Sequence, residues 1–195
     1  QVLRAHLQRQ RQPPFPEAAV DPTLRMPLFI TWLKQRKDDR GLARDLELRG
    51  CIGCLEPIVL QSGLADYVLR SSMQDKRFPP VSLDEVPSLT CKMSILHEFE
   101  ECAHAYDWEV GVHGILISFA DAGGRQYTAT YLPEVAREHK MSQASAIREL
   151  VAKSGYVGPC CQSLVAGIKV TRYRTLVDSL AYWDYLRMCR LSESE

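Results

Sequence analysis

The stretch that most constrains this chain is Leu48-Arg49-Gly50-Cys51-Ile52-Gly53-Cys54, which places an arginine, two glycines and two cysteines within seven positions. We expect it to be an extended strand, in which alternate side chains share a face. Arg49, Cys51 and Gly53 would then lie on one face and Cys54 on the other. A fixed positive charge beside a thiol favours the thiolate, and glycines let a ligand or another backbone come close. The alternative is a small buried cysteine in a strand interrupted by glycine.

The composition of the chain limits the class of protein to which it can belong. The chain has 195 residues, of which 46% are hydrophobic and 25% charged, as is usual for one globular domain or one domain with a smaller lobe. Its formal net charge of zero gives no overall attraction to nucleic acid or anionic membranes. No apolar run approaches the roughly 18 residues of a membrane span. We therefore expect a cytoplasmic or nuclear protein with neither a nucleic-acid nor a membrane partner.

The cysteines and histidines do not predict a metal centre or a cofactor. Seven cysteines at irregular spacings are typical of free thiols in a reducing compartment. If residues 97–104 were helical, His97, Glu101 and His104 would share a face, but the paired histidines of the zinc-protease motif are missing. Cys51 and Cys54 form a single CxxC, and a strand would point their thiols to opposite faces. We predict no bound metal, no cofactor and no redox pair.

Hydrophobic periodicity and turn residues predict an α+β fold, with mainly antiparallel sheets and flanking helices. Ser82 and Glu85 have the spacing of a capping box, and Asp121 to Gly124 supply the turn of a hairpin. We expect residues 1–26 to be a helix fragment with a proline-rich lead-in, 27–188 to be the folded domain, and 189–195 to be a short acidic tail. The remaining patterns predict helices at 2–7, 59–73, from 133, over 142–155 and around 180–186, and strands at 28–32, 91–95, within 107–119, and at 126–131 and 168–173.

Several segments together resemble a known family. Residues 48–53 read LRGCIG, and further matches lie at 75–80, 107–114, 129–136 and 171–173. From about Pro27 to Leu186 the chain is similar to the AMMECR1 family, named for the Alport syndrome, midface hypoplasia and elliptocytosis chromosomal region. Family members usually carry a hydroxyl residue, often threonine, where this chain has Cys54, so the CxxC is not a family feature.

The resemblance implies a two-lobed α+β fold, one lobe larger than the other, with the LRGCIG hexapeptide at a cleft between the lobes. The family has no settled biochemical activity. Some prokaryotic members are fused to a Memo-like domain or encoded beside radical SAM proteins, which implies a shared pathway.

Two functions are compatible with these residues. The first is a binding module whose cleft is built around Arg49-Gly50-Cys51 and captures a protein or peptide partner or a small anionic ligand. The second is an enzyme, or enzyme component, in which Cys51 is the nucleophile and His113 accepts its proton. On either reading we expect Cys51 to be the most reactive thiol away from the termini. The candidate ligand-binding residues are Arg49, Gly50, Gly53, Arg77 and Glu134.

Overall fold

A computed structural model describes residues 1–10, 21–37 and 43–192. The helices are α1 (Val2–Leu7), α2 (Leu60–Met73), a 3-10 helix (Leu83–Ser88), α3 (Pro133–Glu138), α4 (Gln143–Lys153), α5 (Gln162–Ala166) and α6 (Tyr182–Ser192). The strands are β1 (Arg25–Lys37), β2 (Ala43–Val59), β3 (Leu89–Glu101), β4 (Gly114–Ala120), β5 (Gln126–Tyr131) and β6 (Lys169–Ala181).

The strands form one six-stranded sheet in the order β2-β1-β3-β6-β4-β5. β1 pairs antiparallel with both β2 and β3, and β4 pairs antiparallel with both β5 and β6. The predicted α+β class with mainly antiparallel pairing is therefore confirmed. Within the described ranges, no helix is both long and apolar enough to cross a membrane.

The chain divides into two compact units, Gln1–Ile95 with Val177–Glu195, and Leu96–Leu176. In the first unit, alternate residues of β1 form the centre of the core, because Leu28, Ile30 and Trp32 point to one face of the sheet and are buried there. Side chains of α1 and α2 pack against this face, including Leu3 and Leu60.

The second unit has a separate core between the β4–β5 hairpin and α4. Ile115 and Ile117 of β4 and Ile147 and Leu150 of α4 are almost completely inaccessible to water. The side chain of Ser142 accepts a hydrogen bond from the backbone N–H of Ser145, which caps the N-terminus of α4. Such short-range signals position the helix, and the apolar stripe then determines which face is buried.

Most predicted elements are present, but some are longer or differently placed. β1 extends well beyond 28–32, and residues 97–101 continue β3. The helical face that would bring His97, Glu101 and His104 together therefore does not form. The helix predicted around 180–186 begins at Tyr182, because Leu180 still belongs to β6. Trp183 is 62% exposed, so the apolar stripe of this helix is not simply a core face.

Three predicted features lie outside the described residues in whole or in part. The proline-rich lead-in falls within 11–20, and the last three positions of the acidic tail are 193–195. The mixed-charge run from Lys34 to Arg40 has the composition of a solvated loop. Its residues up to position 37 continue β1, and 38–42 are not described.

Candidate functional site

The LRGCIG strand lies in β2, at one edge of the sheet. Trp32 of β1 pairs with Gly50 and Leu33 pairs with Leu48, so Arg49 is the extra residue of a β-bulge. A bulge interrupts the strict alternation of side chains. The shared face expected for Arg49 and Cys51 therefore does not follow from the strand geometry.

The two glycines of the strand are required by close contacts within the first unit. A Cβ on Gly50 would collide with the backbone carbonyl oxygen of Ser71, where the end of α2 crosses the strand. A Cβ on Gly53 would collide with the backbone carbonyl oxygen of Leu28 and with the ring of Phe29, its directly opposed partner on β1. Both glycines thus admit another backbone, as the sequence had suggested, and Gly53 also admits an aromatic ring.

Arg49 is a buried cation that forms an ion pair with Glu85. Its Nε and Nη2 atoms each donate a hydrogen bond of 2.9 Å to a different carboxylate oxygen of Glu85. Glu85 also accepts from Lys34 at 2.8 Å and from the backbone N–H of Ser82, which completes the predicted capping box. These bonds, those from Arg49 foremost, hold the pKa of Glu85 far below its usual range. Arg49 therefore ties β2 to the 3-10 helix.

Asp75 and Arg77 form a second ion pair, which contacts the backbone of Cys51. The Asp75 carboxylate accepts from the Cys51 N–H at 2.9 Å, and Arg77 Nη2 donates to the Cys51 carbonyl at 3.3 Å. Arg77 also donates from Nε and Nη2 to the two Asp75 oxygens, at 2.9 and 2.7 Å. Because an edge strand has unpaired backbone groups, this pair covers the edge of β2 at Cys51. The hydrogen bonds from Arg77 are the main reason that the pKa of Asp75 is lowered to about 2.

The Cys51 thiol belongs to a polar row that crosses three strands. Cys51 is in register with Thr31 of β1, and Thr31 is in register with Lys92 of β3, so the three side chains share a face. The Thr31 hydroxyl donates to Cys51 Sγ at 3.1 Å. Burial raises the pKa of the Cys51 thiol, although this hydrogen bond and the charges of Arg77 and Lys92 act in the opposite direction. Desolvation is thus the dominant effect, and the expected activation of Cys51 by Arg49 is not supported.

The remaining cysteine of the motif has a different environment. Cys54 pairs with Leu28, a core residue of β1, and its thiol hydrogen-bonds with the hydroxyl of Tyr67 on α2. Cys51 instead lies in the Thr31 row. The two thiols therefore point to opposite faces of β2, as the sequence analysis predicted, and a CxxC redox pair is not formed.

His113 and Glu134 lie in the second unit, whereas Cys51 lies in the first. His113 Nδ1 accepts a hydrogen bond from the backbone N–H of Glu109 at 3.1 Å. Burial, aided by nearby arginines, lowers the pKa of His113, so the imidazole is neutral at pH 7. Glu134 occupies the first turn of α3, where a carboxylate is favoured by the helix dipole. The pairing of His113 with Cys51 stays a prediction.

Three residues at the site were not among the candidates from sequence, namely Thr31, Lys92 and Glu85. Glu85 carried a signal, but the capping box explained it completely. Lys92 lies between apolar Cys91 and Met93 on β3, and such alternation indicates a polar face without showing what that face adjoins. No group of three or more histidine, cysteine, aspartate or glutamate side chains within the described ranges could hold a metal ion.

The fold and this geometry define an α+β domain whose antiparallel sheet carries a glycine-rich edge strand with a buried arginine and a half-buried cysteine. The family model of AMMECR1 matches residues 1–177, and the chain belongs to the AMMECR1 family.

Similar proteins support this assignment. An uncharacterized protein of Arabidopsis thaliana is 40% identical over 188 residues, which cover 95% of this chain and 83% of that protein. An uncharacterized protein of Schizosaccharomyces pombe is 37% identical, covering 87% of this chain and 82% of its own length. The crystal structure of an uncharacterized protein from Pyrococcus horikoshii has a TM-score of 0.73 at 23% identity, over 91% of this chain and 85% of that one. At this identity the structural match shows a common fold.

Proposed function

We propose that this domain is a binding module, and that the polar row of Cys51, Thr31 and Lys92 forms part of its ligand-binding surface. The ligand class that fits is a small anion or a peptide carboxylate. The observation that carries the proposal is the placement of two cations around one cysteine: Arg77 Nη2 donates to the Cys51 carbonyl oxygen at 3.3 Å, and Lys92 lies in the same cross-strand row as Cys51. Hydroxyl, thiol and cationic groups that converge on a partly buried surface are typical of ligand sites.

Rigidity of the strand beneath this row also supports binding. The Asp75–Arg77 pair holds the Cys51 backbone, and Arg49 ties the same strand to the 3-10 helix through Glu85. A site whose supporting groups are fixed in advance loses less conformational entropy when a ligand binds. The Arg77 side chain is 56% exposed, so its guanidinium can reach a ligand while it remains paired with Asp75.

The alternative function, an enzyme with Cys51 as nucleophile, is less well supported. Thiol chemistry needs the thiolate, and burial raises the pKa of this thiol. To bind a substrate anion, Arg49 would have to break its ion pair with Glu85. Two largely buried charges would then be left unpaired, and the folded domain would lose much stability. A nucleophilic Cys51 would therefore require a rearrangement of its surroundings.

The test compares two probes that differ in one charge, N-acetylglycine and neutral N-acetylglycinamide. Titrations followed by amide NMR should show saturable shifts at Thr31 and Cys51 with the carboxylate alone. Lys92→Met should weaken binding about tenfold, the usual value of a hydrogen bond to a charged group. Lys169→Met is the matched control, because Lys169 is an exposed lysine of β6 in the second unit, and should bind as the unaltered chain does.

Equal binding of both probes, or unchanged affinity in Lys92→Met, would count against a carboxylate site. Rapid alkylation of Cys51 by iodoacetamide at pH 7 would favour the enzyme instead.

A further inference from the structure

A concave region lies in the first unit, away from the Cys51 row. It is a partly open pocket of about 470 Å³ between α1, α2, the 3-10 helix, β3 and the segment from the end of β6 into α6. Small-molecule sites in proteins usually measure about 300 to 1,000 Å³. The pocket is therefore large enough for a ligand of moderate size.

The floor of the pocket is apolar. Leu3 of α1, Trp32 of β1 and Leu89 of β3 line it, and each is at most 8% exposed. Val68 and Met93 add further apolar surface. At about 30 Å³ per water molecule, the volume corresponds to about fifteen waters, and these side chains offer them few hydrogen-bonding partners. Replacement of such water by apolar groups is favourable.

The rim of the pocket is polar and carries both signs of charge. Arg4 of α1 and Asp178 at the end of β6 are exposed residues of its lining, and Ser179 lies beside them. One cation and one anion at the same opening give no net preference for either charge. The polar part of a ligand can remain here in contact with water.

From this arrangement we infer that the pocket binds a small amphiphile, with an alkyl or aromatic body on the apolar floor and a polar head at the rim between Arg4 and Asp178. The body supplies most of the affinity, because the floor offers apolar contact and the rim charges oppose each other. The inference does not depend on the anion site proposed at Cys51, because none of the residues of that row lines this pocket.

Isothermal titration calorimetry with n-alkanoates of eight, ten and twelve carbons, below their micellar concentrations, tests the inference directly. Binding should be one to one, and each added methylene should tighten it about fourfold. Decanol should bind within about tenfold of decanoate, because the head is not selected by charge.

Ala65→Phe, on the α2 wall of the pocket, should weaken decanoate binding at least about tenfold by filling the space with apolar atoms. Ala152→Phe makes the same change on an exposed face of α4 and should leave binding unaltered.

Thiol protection in the unaltered chain provides a readout that needs no variant. Cys91 lines the pocket, so decanoate should slow its labelling by N-ethylmaleimide severalfold, whereas exposed Cys161 in the second unit should label at the same rate.

The inference is overturned if alkanoates do not bind, if affinity is independent of chain length, or if Cys91 is not protected. A dimer in solution that Ala65→Phe dissociates would also overturn it, because the pocket would then be an interface between two copies.

Discussion

Replacing Asp75 by asparagine removes one charge from the ion pair that holds the Cys51 backbone. The change keeps the shape of the side chain but removes the carboxylate. That carboxylate accepts hydrogen bonds from the Cys51 N–H and from Nε and Nη2 of Arg77. The Asp75 side chain is only 7% exposed, so water replaces these bonds poorly. We expect a clear loss of stability with the fold retained.

The magnitude follows from the pKa of Asp75, which lies at about 2 in the folded chain against an ordinary 3.8. Each pKa unit corresponds to about 1.4 kcal/mol, so the ionised carboxylate contributes about 2 kcal/mol to folding, with some reduction because Arg77 is half exposed. A lowered pKa means that this contribution is present in full above about pH 4 and is lost as the pH falls toward 2.

Urea unfolding at several pH values between 7 and 2.5 measures both features. At pH 7, Asp75→Asn should unfold about 2 kcal/mol more easily than the unaltered chain, and the difference should shrink below pH 4. Asp66→Asn is the control, since Asp66 forms an exposed pair with Arg70 on α2 and should change stability by less than about 0.5 kcal/mol. A difference that is absent at pH 7, or that persists unchanged at pH 2.5, would refute the reasoning.

Two further predictions concern the same strand. Gly50→Ala should destabilise the first unit by about 1 to 3 kcal/mol in thermal unfolding, because its methyl group would displace the end of α2. Gly167→Ala is the control and should be nearly neutral, because its Cβ would be 3.5 Å from the nearest atom. Equal effects of the two changes would contradict the close contact between Gly50 and α2. Limited iodoacetamide labelling at pH 7 should modify Cys161 before Cys51, because hydrogen bonds, first from Ser163, lower the pKa of the exposed Cys161 thiol and burial raises that of Cys51. The reverse order would restore the activated-thiol interpretation.

The sequence by itself determined the local elements of this protein. The extended conformation of residues 48–54, the helix that follows, the capping box at Ser82 and the turn at Asp121 were all readable, because each depends on side-chain periodicity or hydrogen bonds within a few residues. The α+β class followed from the irregular order of these elements.

Only the tertiary structure decided what the motif residues contact. Arg49 and Glu85 are 36 positions apart, and Cys51 and Asp75 are 24 apart, so no local pattern could show that they meet. The bulge at Arg49 depends on how β1 and β2 pair, and pairing register is a long-range property. The state of the Cys51 thiol depended on a balance between burial and nearby charge. A sequence supplies the charges, but burial is created only when the chain packs.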